Sequence, residues 1–153
     1  MDVRFINAFL EATIEVLKTM AFVEPVAGKP YLKKDEVSKG DVSAIIGMTG
    51  GAKGSLALTF SKNCILHIVS NLLGEQTDTI TSEIQDAVGE ITNMVSGVAR
   101  KKLEGIGLSI SAAIPTVVAG EGHSIHHVLA GPSIIIPFTT SHGDFVVDVC
   151  ISD

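Results

Sequence analysis

The chain has 153 residues, 46% hydrophobic and 18% charged, with a net charge of −6. That length and balance suit a single folded domain over 1–153 with a sizeable core, and they exclude a disordered chain. The cations are scattered, as at Lys33 and Lys34 or Arg100, Lys101 and Lys102, so the concentrated positive surface that a nucleic-acid partner requires is absent. No run approaches the roughly 20 apolar residues of a membrane-spanning helix. The opening residues Met1, Asp2, Val3 and Arg4 lead straight into an amphipathic pattern without a signal-peptide start, and the expectation is a cytoplasmic protein with no membrane partner.

In chain order, Ile6, Phe9, Leu10, Ile14 and Leu17 recur at helical spacing and predict an amphipathic helix over 3–20. Pro25, Gly28 and Pro30 end it, and 24–34 reads as a short extended segment. Strands follow at 42–48 and 54–60. In the second, Leu56, Leu58 and Phe60 alternate with Ala57 and Thr59, the pattern of one buried face. Between them, residues 49–53 read as a hairpin turn. A helix over 62–73 stops at Gly74, and another begins near Ser82, where Ser82 and Gln85 have the spacing of a capping box. Past Gly105 and Gly107 the chain is β-rich, with strands expected over 109–119, 132–139 and 145–151. This order predicts an α+β fold: a largely antiparallel sheet with long helices packed on it.

Viewed down its axis, the helix over 82–103 carries two stripes. Ile84, Val88, Ile91, Val95 and Val98 form an apolar face that packs on the sheet. Asp86, Glu90, Asn93 and Gly97 recur at i, i+4, i+7 and i+11 and form a second, solvent-facing stripe. Acids and amides on an exposed helix are usually plain solvated surface. Here, however, the face lacks the alternating Lys and Arg partners of such a surface. Gly97 in the stripe and Gly89 beside it each cost roughly 1 kcal/mol of helix propensity, and glycine lets another backbone come close. The stripe therefore reads as a docking face. An asparagine can donate one hydrogen bond and accept another, which suits Asn93 to orienting a water for in-line attack on phosphorus. Glu90, one turn earlier, is placed to pair with a partner's lysine.

The segment Asp86-Ala-Val-Gly-Glu90-Ile-Thr-Asn93 resembles the D/S-xxx-E-xx-N signature of the CheC, CheX and FliY family of chemotaxis phosphatases. The opening helix, the glycine-rich hairpin over 47–54 and the strand that follows look like the CheX branch in order and spacing. The resemblance implies a hydrolase acting on the aspartyl-phosphate of a CheY-type response regulator. It implies that Glu90 contacts the regulator's active-site lysine and Asn93 orients the attacking water. Asp86 and Gly97 would belong to the partner-binding surface. It further implies Mg²⁺ on the regulator, no cofactor or metal held by this chain, and a homodimer joined at sheet edges. CheC-type members carry the signature twice, once on the first helix; here Glu11 is followed at that offset by Ile14, so one site is expected. The alternatives from other classes are a non-catalytic adaptor that binds a response regulator or signalling scaffold, and a structural module of a larger switch.

Four other features have plainer explanations. His123, His126 and His127 cluster without the supporting Cys or acid that a tetrahedral metal site needs. The glycine-rich 47–54 segment lacks the order of a phosphate loop and runs on into a strand. Cys64 and Cys150 sit among apolar neighbours as free buried thiols. Lys101 and Lys102, next to Arg100, complement the dipole of the long helix.

Overall fold

The computed structural model describes residues 3–33, 38–125 and 133–152. Three helices, α1 (Val3–Ala21), α2 (Lys62–Leu73) and α3 (Ser82–Glu104), accompany strands β1 (Val26–Ala27), β2 (Tyr31–Leu32), β3 (Ser38–Gly50), β4 (Lys53–Phe60), β5 (Ile110–Ala112), β6 (Thr116–Ile125), β7 (Ser133–Thr140) and β8 (Gly143–Ser152). The strands form one sheet in the order β1-β7-β8-β4-β3-β5. All pairings are antiparallel; β2 shares the outer side of β7 with β1, and β6 shares the outer side of β3 with β5. The α+β architecture is the one the order of elements predicts.

The single strand expected over 109–119 is instead β5 and β6, separated by a break that holds Pro115, which has no N–H to give to the ladder. Both halves still pair with β3, at Met48↔Ala112 and Ile45↔Thr116. The hairpin between β3 and β4 forms as expected. Gly50 there has φ +128°, and a Cβ would come within 2.6 Å of the Ser109 carbonyl oxygen, so only glycine fits where β5 begins.

All three helices contribute to a core that lines one face of the sheet. Phe9, Val16 and Leu17 of α1, Ile65 and Ile68 of α2 and Val88, Ile91 and Val95 of α3 pack with Ile46, Leu56, Leu58, Phe60, Val147 and Val149. Ring stacking of Phe145 on Phe60 and on Phe138, with centroids 5.0 and 4.9 Å apart, extends the core across β4, β8 and β7.

The centre of the second face of the sheet is also buried, which simple alternation in β4 does not foretell. Ser43, Ala57, Thr59 and Asp148 are all at most 2% exposed. Polar groups survive there because they satisfy one another. Ser43 Oγ bonds to Thr59 Oγ1 at 2.8 Å, Ser133 Oγ donates to Asp148 Oδ1, and Lys33 Nζ meets Asp148 Oδ2 at 2.8 Å. Lys33 follows β2 and Asp148 lies in β8, so this pair ties the short edge segment to the sheet centre. Both cysteines are buried. Burial pushes the Cys64 thiol up to about 11, with the Thr140 hydroxyl opposing and Asp144 adding to the rise. Burial also raises Cys150, with Asp148 adding and Lys33 opposing.

Removing one partner of a buried ion pair strands the other, so Lys33→Met should destabilise the fold by about 3 kcal/mol; an unaltered urea midpoint would contradict this. A thiolate is the reactive form, so at pH 8 a thiol reagent should label Cys64 only as fast as the protein opens. Labelling of Cys64 at the rate of a free cysteine would show that it is not protected.

Candidate functional site

The stripe-bearing helix is fixed first at its ends. Thr81, one residue earlier than expected, is the N-cap: its Oγ1 accepts from the Ile84 N–H at 3.3 Å. Ser82 is already the first helical residue, so the box expected between Ser82 and Gln85 does not form; the position three after the true cap is Ile84, which has no side-chain acceptor to return. At the other end Gly107, with φ +91°, turns the chain so that the Leu108 N–H reaches back to the Leu103 carbonyl at 3.0 Å.

The rotation of α3 is set by Ile84, Val88, Ile91, Val95, Ala99 and Leu103, all buried, with Val98 half-buried at the margin. Asp86, Glu90 and Asn93 are consequently exposed, and Gly97 is half-buried. The side chains of Asp86, Glu90 and Asn93 hydrogen-bond to no other described residue and form no ion pair among them. Glu90 and Asn93 are separated by about 4.5 Å along the axis. The structure thus brings the four expected residues onto one outward face, which is convex.

Two neighbours hold that face in place. On one side, Lys102 Nζ lies 3.4 Å from Glu15 and 3.8 Å from Glu11 of α1. Such half-exposed pairs contribute less than about 1 kcal/mol each, but they give Lys102 a tether beyond the dipole assigned to it from the sequence. They also occupy Glu11, while Ile14 at the offset of a second site is partly buried against the core. On the other side lies β6. A Cβ on Gly89 would sit 3.2 Å from Val117 Cγ2, so glycine here admits the strand.

One residue on this face escaped the sequence reading. The spacing that gives Asp86, Glu90, Asn93 and Gly97 continues three residues on to Arg100. Its Nε donates to Ser96 Oγ at 3.3 Å, and its Nη2 is the nearest atom, at 3.9 Å, to where a Gly97 Cβ would lie. The periodicity could have found it; its position beside Lys101 and Lys102 assigned it to the helix dipole instead.

His123 does not join the stripe. His123 lies at the second face of the sheet, with Nδ1 donating to the Gly120 carbonyl at 2.6 Å and Nε2 against Ser43 Oγ at 2.7 Å. His126 and His127 lie outside the described residues. Among the described residues no group of three or more His, Cys, Asp or Glu is placed to hold a metal, and no helix is long and apolar enough to cross a membrane. Clefts exist beside Asp41, Lys62 and Glu121 and beside His67, Gln76 and His142, and none of the stripe residues lines them. A small molecule needs a concavity to bury it; a convex helix face with an unpaired carboxylate and carboxamide can instead enter a site on another macromolecule.

The two glycines differ in a measurable way. Replacing Gly97 with Ala meets only a guanidinium at ordinary contact distance and should stabilise the fold by about 1 kcal/mol. Gly89→Ala must displace Val117 and should gain less or lose. Equal thermal shifts for the two variants would show that β6 does not crowd the helix.

Comparison with known proteins gives the family of the chain. The family model described as chemotaxis phosphatase CheX matches residues 42–139. A CheY-P phosphatase CheX of Thermotoga maritima is 34% identical over 121 residues, 78% of each chain. The crystal structure of a CheC-like superfamily protein from Shewanella sp. PV-4 superposes with a TM-score of 0.95 at 46% identity over the whole of both chains. The CheX in a complex with CheY, BeF3 and Mg²⁺ from Borrelia burgdorferi is 26% identical with a TM-score of 0.82, covering 97% of this chain and 98% of that one. With the signature on α3, these matches place the chain in the CheX family of chemotaxis phosphatases.

Proposed function

We propose that this chain hydrolyses the aspartyl-phosphate of a CheY-type response regulator, with Asn93 orienting the water and Glu90 docking on the regulator's lysine. The observation that carries the reading is the exposed, unpaired Glu90 and Asn93 one turn apart on a helix whose opposite face is locked into the core. The activity named for the Thermotoga maritima relative and the CheX–CheY complex from Borrelia burgdorferi support it.

Phosphoryl transfer asks mainly for positioning and for neutralisation of charge on the phosphoryl oxygens. The Asn93 side-chain carbonyl accepts from a water whose oxygen attacks phosphorus in line. The bond between phosphorus and the aspartyl oxygen breaks, leaving the regulator's carboxylate and inorganic phosphate. The Mg²⁺ that neutralises charge sits on the regulator, so this chain supplies no metal. Glu90 sets the approach of α3 through its ion pair, and Asp86 and Gly97 belong to the surface that meets the partner. The same reading includes a homodimer joined at sheet edges and residence in the cytoplasm, where response regulators act.

Decay of a phosphorylated CheY-type regulator should quicken with the native chain, and Asn93→Ala should slow that acceleration on the order of a hundredfold. Glu90→Ala should raise KM by about tenfold. If Asn93→Ala accelerates decay as well as the native chain, the water-orienting role is wrong. Binding with no phosphate release by the native chain would establish a non-catalytic adaptor instead.

A further inference from the structure

The spacing of the stripe continues to a cation. Arg100 lies seven residues from Asn93, about 10 Å along the axis and within about 20° of it around the helix. Its Nε is held by Ser96 Oγ, from a serine that is itself fully buried. That bond draws the guanidinium back toward Gly97, where Nη2 comes within 3.9 Å of the position a Cβ would take. Among the described residues no carboxylate pairs with it. Lys102, two residues on, is by contrast engaged by Glu11 and Glu15.

A guanidinium anchored through one nitrogen keeps its two terminal nitrogens in a fixed plane, the arrangement that takes a carboxylate in a bidentate pair. The anchor also lowers the rotamer entropy that binding would otherwise cost. A Cβ at Gly97 would meet the guanidinium only at ordinary contact distance, so the bond to Ser96 is what holds Arg100 along the docking face.

We infer that Arg100 is a positioning residue of the docking face, which captures a carboxylate on the rim of the partner's phosphorylation site. This rests on the reading of the α3 stripe as the surface that meets a phosphorylated response regulator. With Nη2 close to Gly97, the guanidinium lies about one turn, roughly 6 Å along the axis, from Asn93, beside the position that Asn93 addresses, so it acts on encounter and orientation. Glu90 and Arg100 then flank Asn93 with opposite charges, giving the interface a polarity that a partner must match at both ends.

The experiment uses the full chain and a CheY-type receiver domain of the host organism. Binding is measured with the receiver charged with Mg²⁺ and BeF3, and turnover with its phosphorylated form, each at low and at physiological salt. Arg100→Ala should weaken binding and raise KM by about tenfold while kcat stays within about twofold, and it should flatten the salt dependence of KM. Arg100→Lys should recover part of the loss, because it keeps the charge but not the planar fork. Lys62→Ala, which removes a cation from α2, should alter neither quantity. Native KM and salt dependence in Arg100→Ala would overturn the inference, as would a fall confined to kcat or an equal effect from Lys62→Ala. A native chain that binds the charged receiver without turning it over would defeat the phosphatase reading, while the binding arm would still decide for or against Arg100. A native chain that does not bind the receiver at all would overturn both.

Discussion

The packing of α3 against β3 and its edge strands constrains everything on the outer side of that helix. Ile84, Val88, Ile91 and Val95 are at most 2% exposed, and burying each such side chain contributes roughly 1.5 to 3 kcal/mol. Rotating the helix by a quarter turn would expose that apolar surface and bury Glu90 uncompensated, which costs several kcal/mol more. The orientation of Glu90 and Asn93 is therefore a consequence of the core. Neither side chain has a hydrogen-bond partner among the described residues to aim it; the helix axis and its rotation do the aiming.

The sheet beneath is stiffened on both faces. One face carries the apolar core, and the other a set of hydroxyls with the Lys33–Asp148 pair. A buried carboxylate held by a lysine and a serine tolerates little displacement of β8 relative to β2, because any shift leaves a charge unpaired in a low-dielectric surrounding. In contrast, the two flanks of α3 are fitted by small residues and long-range contacts of modest strength: Gly89 against Val117, and Lys102 against α1. A convex working surface on such a base suits recognition of a folded protein, since shape and charge must be presented without an enclosing pocket.

Much of the site was legible because helical periodicity is a local property. The spacing of Asp86, Glu90, Asn93 and Gly97 places them on one face whatever lies beneath, and the apolar stripe opposite says which way that face points. The family signature added chemistry to that geometry. The same spacing extended to Arg100, but reading the basic residues near the helix end as one dipole-complementing group hid the difference between them. Only the contacts distinguish Arg100, bonded to Ser96, from Lys102, bonded to α1. The cap was misplaced by one residue for a related reason: Thr81 and Ser82 are both good caps, and the backbone angles decide between them.

The amino-acid sequence by itself determined the helices, the succession of helices and strands along the chain apart from the break at Pro115, the α+β class and the residues of the outward stripe, because these follow from patterns within a few residues of one another. It could not determine that Ala57 and Thr59 are buried as deeply as Leu56 and Leu58, since that depends on which distant segments cover the second face. Nor could it show that a Cβ on Gly89 would crowd β6, whereas one on Gly97 would meet only a guanidinium at ordinary contact distance. Two glycines eight positions apart look alike in a sequence, and only the tertiary structure supplies the neighbours that give each its meaning.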